Sequence, residues 1–224
     1  MKVDKIGKLC MKAGCCKLIS IGHSDDKEAQ FISTGHSVYP LPPDFPRITS
    51  EAELAAVFGW DSKKQKEIYL STDYYCAKDD LAGINLYDSE EGELECTELP
   101  MGVIYGKMNC VGLTDTMGGC GFINAILTEP LKDEMKDDSY FHYTKRRAGT
   151  DHYYYVMKDG MDLRAIILPL VFKDRFFQDL KSENPPRGRW YQQKRRCACG
   201  CTRQNPRAAA ASWWVRLSAA GLSG

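Results

Sequence analysis

The chain has 224 residues, 43% of them hydrophobic and 27% charged, enough for one large domain or two small ones with a substantial core. No apolar run approaches the roughly 18 residues of a membrane span, and the N-terminal MKVDKIGKLCMKAG has none of the uninterrupted apolar stretch of a signal peptide, so the reading is a cytoplasmic protein with no membrane role. The formal net charge of zero hides a split: from Arg187 onward seven Arg and one Lys meet no Asp or Glu, giving +8, which leaves −8 on residues 1–186.

Apolar positions at Val3, Ile6, Leu9, Cys10 and Ala13 follow a helical period, and Gly14 is a suitable stop. Lys2, Lys5, Lys8 and Lys12 form a second stripe on the same predicted helix. One reading of the stripe is a solvated face; the other is a surface that contacts DNA phosphates. Cys16–Ile21 and Ala29–Thr34 read as a β-hairpin around the turn formers Gly22 to Asp26. Four prolines between Pro40 and Pro46 predict that Tyr39–Pro46 is a rigid extended connector, neither sheet nor helix.

Ser50-Glu51-Ala52-Glu53 is a capping box that opens a helix through Phe58, stopped at Gly59. A short helix over Ser62–Lys66 and a strand at Ile68–Ser71 follow. Six acids crowd into Asp88–Glu98, and residues 72–99 read as a solvated acidic linker. Gly102–Leu113 reads as one strand, Thr116–Gly121 as a glycine-rich turn, and Phe122–Ile126 as a return strand. Pro130 suits the first turn of an acidic helix over Glu129–Asp138.

The stretch Ser139–Phe172 is the most apolar and β-prone of the chain. Its runs Tyr140–Thr144, His152–Met157 and Leu163–Phe172 predict the centre of a sheet, with a polar turn over Arg146–Asp151. Lys173–Leu180 reads as a short helix ended by Pro185-Pro186. The organisation expected is therefore an N-terminal half (1–71), an acidic linker (72–99), a C-terminal half (100–183) and a basic tail (184–224) that is disordered or non-native. The fold class is α+β: a mainly antiparallel sheet with a few short helices, in two similar halves.

The chemistry-bearing motifs are few. Gly118-Gly119-Cys120-Gly121 lacks the Lys and hydroxyl of a phosphate-binding loop, so a tight turn is expected there. Cys120 as a nucleophile needs a base, and His142 or His152 would serve. The ten cysteines read as free thiols in this compartment, with Cys10, Cys76, Cys96 and Cys110 as small buried hydrophobes. Cys10, Cys15, Cys16, His23 and His36 lack the paired spacing of a structural zinc site, and Cys197, Cys199 and Cys201 have no fourth ligand nearby. No cofactor or metal is expected.

Leu18–Ile21, Phe31-Ile32, Ser37–Pro43 and the helix Glu53–Phe58 resemble uncharacterised proteins carried by prophages and mobile elements of gut bacteria. Met157–Gly160 and Arg164–Pro169 are similar to the same group. The resemblance covers roughly residues 1–180 and implies a mobile-element origin with no assigned activity. At the level of fold, Phe122–Met135 with the following hairpin and Ala165–Leu170 resembles a DNA sliding-clamp unit, although clamp inner helices are basic and the Glu129–Asp138 helix is acidic. The first expectation is thus a non-catalytic accessory protein acting on an unidentified protein partner. The second is a clamp-like module that contacts DNA or replication proteins through Lys2, Lys5, Lys8 and Lys12. A cysteine-dependent enzyme is the third.

Overall fold

Helix α1 (Val3–Ala13) forms where the apolar period requires it, burying Ile6, Leu9 and Cys10. It ends at Gly14, whose φ of 70° is a left-handed conformation that a side chain resists. The computed structural model describes residues 1–22, 28–76, 83–137, 140–149 and 152–171. The Gly22–Asp26 turn falls mostly outside them, and the Lys173–Leu180 helix and the tail fall wholly outside.

β1 (Cys15–Gly22) and β2 (Glu28–Ser33) pair antiparallel, with Leu18 opposite Ile32. β3 (Ser37–Pro40) follows. Here the proline reading needs correction, because Tyr39 and Pro40 are strand residues, opposite Ile32 and Phe31. Pro40 is tolerated because its nitrogen points away from β2, where the next amide, Leu41, makes the bond to Gln30, and β10 pairs only with Ser37 and Val38.

α2 (Glu51–Val57) opens as its capping box requires. Ser50 accepts the Glu53 amide at 3.3 Å, and Glu53 reaches back one residue further than the simple box, to the Thr49 amide at 2.7 Å. α3 (Ser62–Glu67) is capped by Asp61, and β4 (Tyr69–Cys76) then runs parallel to β1.

β5 (Leu94–Tyr105) and β6 (Met108–Asp115) form a long hairpin. The single strand expected over Gly102–Leu113 is interrupted at Gly106, whose φ of 61° turns the chain. β7 (Cys120–Asn124) returns along β6. After a 3-10 turn at Ala125–Thr128, the expected helix over Glu129–Asp138 is reduced to a single turn, α4 (Glu134–Asp137). With so few residues, a helix cannot repay its nucleation from its own hydrogen bonds.

β8 (Phe141–Ala148), β9 (His152–Asp159) and β10 (Asp162–Ile167) complete one ten-stranded sheet in the order β4-β1-β2-β3-β10-β9-β8-β5-β6-β7. The fold is α+β, with a large and mostly antiparallel sheet. All its pairings are antiparallel except β1 with β4. Both expected halves belong to this sheet. They join where Val38 faces Ile166 and Ser37 faces Ile167.

Arg146 and Arg147 lie within β8 rather than in the turn expected there. Ala165, Ile166 and Ile167 are fully buried, as the heart of the sheet should be. Beyond β10 the Leu170 amide donates to the Phe122 carbonyl at 2.7 Å, so the chain crosses back to the far strand β7. On one face of the sheet, α1, α2 and the 125–131 segment close over Leu18, Tyr39, Leu113, Ile123 and Tyr155. On the other, Ile84 and Leu86 cap Ile19, Phe31, Val156 and Ile166.

Candidate functional site

The lysine stripe of α1 is divided by what lies beside it. Lys2 pairs with Asp133, and Lys5 donates to the Glu129 carbonyl at 3.0 Å while pairing with its carboxylate. The N-terminal ammonium pairs with Glu134. Lys8 is 80% exposed, 3.9 Å from Asp4, and Lys12 is exposed. The acidic segment therefore docks α1 by its first turn, pairing Lys2 and Lys5, while Lys8 and Lys12 in the second half of the stripe have no partner among that segment's described residues.

The glycine-rich segment is a hairpin turn organised by Asp115. Its Oδ1 accepts the amides of Met117 and Gly119 at 3.0 and 2.8 Å, and its Oδ2 accepts Lys145 Nζ at 2.7 Å. Burial alone would raise the Asp115 carboxyl, but the Lys145 ammonium and the two amides outweigh it and hold the group below the ordinary carboxylate range. Lys145 also lies 4.5 Å from the centre of the Tyr153 ring, a cation–π contact. The Tyr155 hydroxyl packs over Gly121 so closely that a Cβ there would overlap it.

Strand pairing sets neither expected base opposite Cys120. Cys120 pairs with Thr114, Thr114 pairs with Thr97, and the neighbouring Cys96 pairs with Tyr143. His142 is thus three strand spacings away, about 14 Å along the sheet. His142 Nδ1 instead lies 3.0 Å from the Tyr140 carbonyl, and His152 sits at the opposite end of β8–β9, facing Ala148.

Of the other cysteines, Cys10, Cys96 and Cys110 are buried as expected. Of Cys76, only the backbone is described. A hydrogen bond with Cys16, and burial, push the Cys10 thiol up, and burial pushes Cys96 up to about 12. These thiols carry negligible thiolate at neutral pH. His23 lies outside the described residues. Among those described, no group of three or more His, Cys, Asp or Glu is arranged as a metal site.

The main buried charge cluster is one that sequence reasoning missed. The loop 83–93, expected as solvated linker, folds over the sheet and is clasped there. The Arg146 side chain, wholly buried, donates from Nε to Glu93 Oε2 at 2.7 Å. Its Nη1 reaches the Tyr87 carbonyl at 2.8 Å and its Nη2 the Asp88 carbonyl at 2.7 Å. Lys158, 3% exposed, pairs with the other Glu93 oxygen. Tyr154 donates to Glu90 at 3.0 Å and accepts the Asn85 amide at 2.9 Å. Burial would raise Glu93, but Lys158 and Arg146 hold its carboxyl below the ordinary range.

Alternation along β8 places Arg146 on the same face as the Thr144 side chain, which also meets Glu93 at 3.4 Å. That register was a signal available in the sequence. Nothing in the acidic run, however, distinguishes Glu93 from its neighbours.

The distal part of the β5–β6 arm is solvent-facing. Ile104 is 71% exposed, beyond a register shift between Glu98 and Gly102, and Met101, inside that shift, is 42% exposed. Val103, Tyr105 and Met108 cover Cys110 and Phe122 from the arm's other side. Among the described residues no helix is long and apolar enough to cross a membrane. No protein-family model, curated protein sequence or solved structure matches the chain.

Proposed function

We propose that this chain is a non-catalytic accessory protein of a phage or other mobile element, and that it holds a protein partner on the outer face of the β5–β6 arm. The observation that carries this reading is the exposure of Ile104, with Met101 nearby on the same strand β5. A large apolar side chain left in solvent on a strand suits a partner's apolar pocket. The mobile-element origin rests on the resemblance of Leu18–Pro43 and Met157–Pro169 described above.

The buried polar groups support binding over catalysis. Glu93 and Asp115 are each held ionised by two or more donors, so neither is poised to exchange a proton near neutral pH. The Cys96 thiol, held up to about 12, is no nucleophile. A clamp-like DNA contact is the second reading, favoured by the exposure of Lys8 and Lys12 alone.

The test is site-specific photocrosslinking. A photoreactive residue at Ile104, in cells that carry the mobile element, is expected to give one discrete protein adduct that is lost with Met101→Asp. Failure to form any adduct from that position would reject the reading.

A further inference from the structure

Among the described residues, β4 is an edge strand that carries none of the usual sequence protections. Among the described residues no strand pairs with its outer side. Natural edges are blunted by proline, glycine bulges or unpaired lysines. Tyr69–Cys76 has none of these, and its single charge, Asp73, is already paired with Lys17. Tyr69 and Tyr74 are each 63% exposed, and the Ser71 hydroxyl is buried with no hydrogen-bond partner among the described residues.

We propose that β4 pairs antiparallel with β4 of a second copy of this chain, about a two-fold axis through Thr72, joining two ten-stranded sheets into one. An isologous strand pair with its axis normal to the sheet keeps each face continuous, so residues directly opposite must share a face. The register is then centred on a residue, and the two central choices differ sharply. Centring on Asp73 sets like charges against each other. Centring on Thr72 sets Thr72 against Thr72, Ser71 against Asp73 and Leu70 against Tyr74, with Tyr69 against Tyr75.

Every one of these is a favourable cross-strand pair: hydroxyl with hydroxyl, hydroxyl with carboxylate, aliphatic with aromatic, aromatic with aromatic. The charges agree as well. Ser71 faces Lys17 within its own sheet. Asp73 of the second copy therefore extends the row Lys17–Ser71 with an acid, beside the hydroxyl that lacks a partner. The same main-chain pairing that extends a sheet with a foreign peptide here extends it with the strand's own copy.

Thr72 is exposed, so it accepts charge without disturbing the core. Sedimentation equilibrium of the full chain is expected to give twice the 25.3 kDa chain mass. Thr72→Lys and Thr72→Asp, each placing like charges on the two-fold axis, should each fall to the single-chain mass. Mixing the two should restore the doubled mass. A wild-type chain that stays at 25.3 kDa across the concentration series overturns the proposal. So do charge variants that still self-associate, or a mixture that fails to recover. Hydrogen exchange gives an independent reading on the wild-type protein. The amides of Tyr69–Tyr75 should gain protection as concentration rises, and unchanged exchange there overturns the assignment of the surface.

Discussion

Arg146 and Glu93 are joined at 2.7 Å across 53 residues of sequence, one from the middle of a strand and one from the end of an irregular loop. This contact turns an acidic segment into the cover of a sheet. Ile84 and Leu86 are buried only because that segment is held down, and each contributes about 1.5–3 kcal/mol of apolar burial. Arg146→Ala would leave Glu93 with Lys158 and the Thr144 hydroxyl, and would strip the donor from the carbonyls of Asn85, Tyr87 and Asp88. The expected loss is about 3–5 kcal/mol, measured by urea unfolding, with early protease cleavage within 83–93. A loss near zero would show that the clasp does not hold the loop.

Glu93 and Asp115 set the acid limit of the fold. Both carboxyls lie below their unfolded values, so the stability they contribute is complete above those values, about 4. It is lost as pH falls through the lower folded values. Stability should therefore be flat from neutral pH to about 5 and fall below 4, with Glu93→Gln lower throughout and less steep in acid. An unfolding profile of Glu93→Gln parallel to that of the wild type would contradict this assignment.

Gly121→Ala is expected to cost about 1–3 kcal/mol, because its methyl meets the hydroxyl of Tyr155, which is too buried to swing aside. Tyr155→Phe removes the obstructing oxygen. The double variant should recover most of the loss, a coupling that thermal unfolding of the four proteins would reveal.

Lys8→Glu with Lys12→Glu separates the two functional readings. The binding-protein reading expects no change in DNA affinity by fluorescence anisotropy. A clamp-like contact through α1 requires a weaker complex and a shallower dependence of log K on log salt. Lys2→Glu should instead lower stability slightly, since its exposed pair with Asp133 is a docking contact.

Local signals in the sequence read well and long-range ones poorly. The period of α1, its Gly14 stop, the Ser50 cap and the first hairpin depend on neighbours within a few residues, and each stands where the pattern places it. The run of strands at Phe141–Ile167 declared itself by being apolar for so long. Arg146 reads as a turn residue because a charge signals exposure until its partner is known, and that partner lies 53 residues away. Gly106 was passed over because one glycine in a β-prone run does not show whether its φ is positive. Of the candidate site, the lysine stripe was legible as a pattern, but its division by Asp133 and Glu129 was not. The β5–β6 arm carries no motif at all.

The seam where Val38 faces Ile166 has a consequence for synthesis. The first four strands can zip together early on the ribosome, yet β3 must wait for more than a hundred further residues before its second neighbour exists. Closing a loop of that length is entropically slow and makes refolding slow with it. Until β10 arrives, the nascent chain presents an open strand edge at β3, and a chaperone that shields it would govern the yield of native protein.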